Sequence, residues 1–138
     1  MAFRTRDLER ATHDVGVHLQ VALADLRLAQ AEIHVLGHLA DEGPSTIGEI
    51  HRSFGHRRST LSSVLNRLET RGLIARSINP ADRRSIVVTT TPAGTSAASR
   101  VQAVVDDLCR RVASETTTLE QEGFSAVLAA VGRQTRTA

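Results

Sequence analysis

"STLSSVLNRLETRGLIARSINPADRRSIVVTTTPAG", residues 59–94, changes its hydrophobic period halfway along. Up to Gly72 the apolar residues Leu61, Val64, Leu65 and Leu68 fall at i, i+3, i+4 and i+7, the spacing of one helical face. The same spacing turns Arg57, Arg58, Ser59, Ser62, Ser63, Asn66 and Arg67 outward. After Gly72 the period drops to about two. "LIARSI" (73–78) and "SIVVTT" (85–90) then read as two short β-branched strands around the turn "NPADRR", with Asn79-Pro80 opening the turn. Thr91-Pro92 supplies a cap and a first-turn proline, so a helix restarts there.

Helical periodicity extends in both directions from this stretch. Upstream, Leu8, Ala11, Val15, Leu19, Ala22 and Leu26 predict a helix over 7–28. Ile33, Leu36 and Ala40 define the inner face of a second, which stops at Gly43-Pro44. A short third helix follows, with Ser45 and Thr46 as candidate caps, Glu49 closing a capping box on Thr46, Ile47, Ile50 and Phe54 inward, and Gly55 at its end. Downstream, Val101, Val104, Val105, Leu108 and Val112 form the stripe of a long helix. Thr118 with Gln121 is the expected capping box of a last one, carrying Phe124, Val127, Leu128 and Val131. The fold class expected is mainly α with a small β-hairpin wing (α+β), a winged helix-turn-helix.

At 138 residues the chain fits one domain. No apolar run approaches the roughly 20 residues that span a bilayer, so no membrane partner and a cytoplasmic location are expected. The single cysteine, Cys109, excludes an internal disulfide framework and a four-cysteine zinc site. No cofactor is indicated, and no nucleophile, base and orienter occur together, which argues against an enzyme.

Charge is segregated along the chain. Residues 51–84 hold eight arginines and two acids, a net of +6, and the remainder has nine arginines and thirteen acids, a net of −4, which together give the chain's +2. His51 and His56 also lie in the basic segment. A basic middle in an acidic frame is the layout of a surface presented to a polyanion. A helix fits the major groove of duplex DNA and a flanking hairpin reaches the adjacent minor groove.

Residues 28–94 resemble the DNA-binding lobe of the multiple-antibiotic-resistance regulator (MarR) family of bacterial transcription factors. The resemblance rests on "EIHVLGHL", "STIGEI", "STLSSVLNRLETRGLIARSINPADRRS" and the Thr91-Pro92-Ala93-Gly94 exit. It implies a winged lobe over 28–91, with 7–27 and 92–136 forming a dimerisation region. It assigns the helix beginning at Arg58 to the major groove, making Arg57, Arg58, Ser59, Thr60, Ser62 and Ser63 the base- or phosphate-reaching residues and Arg67 a phosphate clamp. In the wing, Arg84 is the implied minor-groove arginine, Asp82 the carboxylate that holds it, and Arg83 a phosphate contact. The partners so implied are a near-palindromic duplex operator, a second copy of the chain, and a small anionic or aromatic effector.

The effector cleft of such proteins lies between the two regions, which makes His13, Val15, His34, His38 and Arg100 candidates for lining it. His34 and His38, four apart, also match a two-histidine metal spacing, but no third ligand is indicated. Cys109 is expected to be a buried small residue rather than a thiol sensor. A metal- or thiol-responsive regulator of the same fold, and a winged helix that binds only protein, are the alternative readings. Three positions depart from the family pattern: Ala29 lacks the usual cap hydroxyl, Thr90 replaces a leucine, and His56-Arg57 add charge at the entry to the recognition helix.

Overall fold

The computed structural model describes residues 2–55 and 57–136; His56 lies outside them. Residues 1–104 form one compact unit and 105–138 a second. The first contains α1 (Thr5–Ala22), a 3-10 turn (Ala24–Leu26), α2 (Gln30–Glu42), β1 (Ser45–Thr46), α3 (Ile47–Phe54), α4 (Arg58–Thr70), β2 (Ile74–Ile78), β3 (Ile86–Thr90) and the start of α5 (Pro92–Ser114).

α1 ends at Ala22, six residues before the periodicity predicts. Leu23 and Leu28 are both buried. Five residues apart, they would lie roughly 140° apart around a continuous helix, so a tight turn is needed to bury both. α2 then buries Ile33, Val35, Leu36 and Leu39, while Ala40, expected inward, is exposed. The larger leucine takes the core position. At its N-terminus Ala29 offers no side-chain acceptor, and its own N–H donates to Glu32 Oε1 at 3.1 Å.

Ser45 and Thr46 form a strand as well as a helix start. They pair antiparallel with β3 (Ser45 with Val88, Thr46 with Val87), giving the sheet order β1-β3-β2. Thr46 also caps α3: its hydroxyl accepts from the Glu49 N–H at 3.1 Å and the Glu49 carboxylate accepts from the Thr46 N–H at 3.4 Å. β2 and β3 pair from Ile74 with Thr90 to Ile78 with Ile86. Leu36, Ile50, Val64, Leu68, Ile74 and Val88 meet in the core, each no more than 2% exposed. Each such burial contributes about 1.5–3 kcal/mol.

Gly72, at φ 72°, takes the left-handed conformation that lets the chain leave α4 and enter β2. The exit from β3 closes on the same point. Thr91 N–H donates to Leu73 O at 3.1 Å, its hydroxyl donates to Gly72 O, and it accepts from Gly94 N–H at 3.1 Å. Thr91 is thus both the cap of α5 and the clasp of the hairpin.

In the second unit the cap of α6 (Thr118–Thr135) is Thr117 with Glu120, one residue before the expected Thr118 and Gln121. A carboxylate accepts more strongly than an amide at a helix N-terminus, so the register with Glu120 prevails. Gln121 instead donates to Thr116. No residue of α6 is buried, and Leu119, Phe124 and Leu128 are exposed. Cys109 is exposed too, contrary to expectation; it lies on the solvent side of the Val105 and Leu108 stripe, which is half-buried. Among the described residues no helix is long and apolar enough to cross a membrane.

A β-carbon on Gly94 would lie 1.7 Å from Leu73 O, a backbone atom that cannot move aside without opening the clasp. Gly94→Ala is therefore expected to destabilise the fold by about 1–3 kcal/mol, read as a lower denaturant midpoint with unchanged slope. An unshifted midpoint would show that the clasp is not under this constraint.

Candidate nucleic-acid interface

Packing of Leu61, Val64, Leu65 and Leu68 against the core fixes the rotation of α4. That rotation leaves Arg57, Arg58, Ser59, Thr60, Ser62 and Ser63 exposed. Arg57 is the N-cap, with extended backbone, and its guanidinium, which has only donors, cannot cap the helix N–H groups. Ser63 donates to Ser59 O at 3.2 Å, one turn back. The N-terminal face of α4 thus combines short polar side chains, two arginines and the positive end of a helix dipole, all suited to phosphate oxygens and base edges.

The wing tip is ordered by side chains bonding to its own backbone, as Asn and Asp do in turns. Asn79 Oδ1 accepts from Ala81 N–H at 3.0 Å, and Asn79 N–H donates to Ser85 O at 3.0 Å. Asp82 Oδ1 accepts from the backbone N–H of Arg84 at 3.1 Å. The carboxylate therefore holds the chain beneath Arg84, whereas the resemblance implies that it holds the Arg84 side chain. Its short side chain reaches only two residues on along the main chain. Arg83 and Arg84 are both exposed, and neither forms an ion pair among the described residues.

The wing is fastened to α4 by Arg76. Its Nη2 donates to Asn66 Oδ1 at 2.8 Å and Glu69 Oε1 at 3.1 Å, and its Nε donates to Glu69 Oε2 at 3.1 Å. The hydrogen bonds from Arg76 hold the Glu69 carboxyl below its usual range, and the same bonds raise Arg76. Sequence reading placed both in the "LETRGLIAR" motif without seeing that they are partners; the signal is their opposite charge on either side of the Gly72 turn.

The resemblance gives Arg67 to phosphate. It is exposed on α4, but its Nε lies 4.0 Å from Glu32 Oε1, and Glu32 is buried. Arg71 Nη1 approaches the other oxygen at 3.9 Å. An uncompensated buried carboxylate is costly, so it draws cations from the neighbouring helix. With Arg27, Asn66 and Thr70 these residues line an open cavity of about 570 Å³. Glu32 was not among the sequence candidates, because a polar residue on the inner face of α2 reads only as a first-turn acid.

The residues expected around an effector lie on α1, α2 and α5. His13 and Val15 are exposed on α1. The His34 ring meets Phe54 edge to face at 5.4 Å, and His38 Nε2 lies 3.0 Å from Ser45 Oγ. Among the described residues no group of three His, Cys, Asp or Glu side chains could hold a metal ion. Arg100 pairs through both terminal nitrogens with Asp25, one of these bonds being 2.9 Å. Arg100 also lines a cavity of about 190 Å³ with Leu26, Leu28, Arg71, Leu73 and Ser96 among its neighbours.

A family model described as MarR family matches residues 25–85. The HTH-type transcriptional repressor NicR of Pseudomonas putida is 31% identical over 75 residues, 54% of this chain and 48% of that one, so the chain matches about half of that relative's length. The HTH-type transcriptional repressor Mb2911 of Mycobacterium bovis is 29% identical over 114 residues, 83% of this chain and 82% of that one. Among solved structures, Bordetella bronchiseptica BpsR, described in terms of the regulation of its DNA binding by 6-hydroxynicotinic acid, superposes with a TM-score of 0.75 at 25% identity, covering 93% of this chain and 97% of that one.

The lowered Glu69 pKa fixes the sign of a pH effect. A carboxyl depressed in the folded state stabilises above its unfolded pKa, and that contribution is lost as pH falls through the folded value. Chemical denaturation of the native chain and of Glu69→Gln should therefore show a stability gap at neutral pH that closes once the pH drops below the carboxylate range. A gap that persists in acid would mean that the Arg76 bonds do not depend on the charge.

Proposed function

We propose, from the match of residues 25–85 to a MarR family model, that the chain is a winged helix-turn-helix regulator of that family, a homodimeric repressor that binds a near-palindromic duplex operator and is released by a small anionic or aromatic effector. One observation carries the DNA-binding part. Arg57 and Arg58 at the start of α4, and Arg83 and Arg84 at the wing tip, are exposed cations on two elements that Arg76 ties together. Such a pair of elements suits a major groove and the minor groove beside it. An arginine in a narrow minor groove gains from the concentrated negative potential there and needs no specific base contact.

The repressor assignment is supported by the two curated relatives, both described as transcriptional repressors. Dimerisation through 7–27 and 92–136 is supported by the exposed apolar side chains of α1, α5 and α6, including Val21, Val112, Leu119 and Phe124. A two-fold pair reads half-sites about one helical turn apart. Effector release is supported by the ligand named for BpsR and by the small cavity beside Arg71 and Arg100.

Sequencing the fragments of its own genome that the protein retains should return a short inverted repeat. On that site, Arg84→Ala is expected to weaken binding by about 1–3 kcal/mol in a mobility-shift titration at fixed salt while the fold and dimer persist. Recovery of random fragments, or unchanged affinity of the variant, would refute the assignment of Arg84 to DNA.

A further inference from the structure

We infer that Arg71 is a positioning residue for operator recognition: it fastens the C-terminal end of the recognition helix to the turn between α1 and α2, and does not contact DNA. The inference rests on the regulator reading above. Arg71 stands at the end of α4, in the basic segment of the chain. Its guanidinium is spent inward. Nη2 donates to Leu26 O at 2.7 Å and Nη1 to Arg27 O at 3.0 Å, with the buried Glu32 carboxylate 3.9 Å away. These carbonyls end the 3-10 turn, where the backbone runs out of partners of its own.

The turn is itself anchored elsewhere. Leu23 and Leu28 are buried at its two ends, and Asp25 is bonded by Arg100 of α5 through both terminal nitrogens. Charged bonds therefore run from α5 through Asp25 to the turn, and from the turn through Arg71 to α4. The N-terminal half of α4 carries the exposed face. A helix free to tilt at its far end would present that face at a variable angle. Sequence-specific contacts depend on that angle, whereas sequence-independent attraction to phosphate does not.

The test compares the native chain with Arg71→Ala and Arg71→Lys on the recovered operator and on an unrelated duplex, across a range of salt. Fold and dimer are followed by circular dichroism and gel filtration. Arg71→Ala should lose about tenfold or more in operator affinity, the scale of lost charged hydrogen bonds. Its affinity for the unrelated duplex and its salt slope should stay as in the native chain. Arg71→Lys should recover part of the loss, since an ammonium keeps the charge and donors for the carbonyls but not the planar fork.

Unchanged operator affinity in Arg71→Ala would overturn the inference. So would a parallel loss on both duplexes with a salt slope lower by about one, the mark of a phosphate contact. If Arg71→Ala does not fold, Asp25→Asn breaks the other half of the same chain of bonds: selective loss on the operator supports the inference, and native affinity refutes it. A native protein that selects no sequence overturns the regulator reading itself, and this inference with it.

Discussion

The three hydrogen bonds from Arg76 to Asn66 and Glu69 make one surface out of two elements. The β2–β3 ribbon leaves α4 through a single glycine and is paired at its base with the two residues of β1, so the angle of its outer part needs further bonds to hold it. The guanidinium fixes that angle with charge-assisted bonds in a planar fork, a geometry that an ammonium cannot reproduce. Thr91 and Gly94 close the same joint from the other side, through the Gly72 and Leu73 carbonyls and the close packing of α5. The wing's reach and the exposed face of α4 both inherit their geometry from this joint.

Positive charge in the basic segment divides into two populations that sequence cannot separate. Arg57, Arg58, Arg83 and Arg84 are exposed and form no ion pair among the described residues. Arg67, Arg71 and Arg76 face Glu32, backbone carbonyls or Glu69. Three of the segment's eight arginines are therefore engaged within the protein, and four of the other five stand at the start of α4 and at the wing tip, where they face a polyanion.

What was legible in the sequence was legible through period and punctuation. Leu61, Val64, Leu65 and Leu68, the break at Gly72 and the Thr91-Pro92 restart each act locally, and each stands where the spacing puts it. The revisions have two causes, neighbours distant along the chain and local choices that spacing leaves open. β1 is two residues long, too short for alternation to register, and exists because β3 comes alongside it. The run Thr116-Thr117-Thr118 offers overlapping capping patterns, and only the stronger acceptor at Glu120 decides between them. Asp82 and Arg67 are exposed on the wing tip and on α4, but their partners depend on main-chain reach and on a glutamate of another helix. The effector candidates come from α1, α2 and α5, and spacing within one helix carries little information about a cleft assembled from several elements.

The claim on which all of this depends is that the wing and the recognition helix bind as one rigid surface. A double-mutant cycle on the recovered operator measures it, combining Glu69→Ala, which frees the joint, with Arg83→Ala/Arg84→Ala, which empties the wing. If the joint serves to aim the wing, Glu69→Ala weakens binding in the native background and has little effect once the wing arginines are gone. Two losses that simply add would contradict the account.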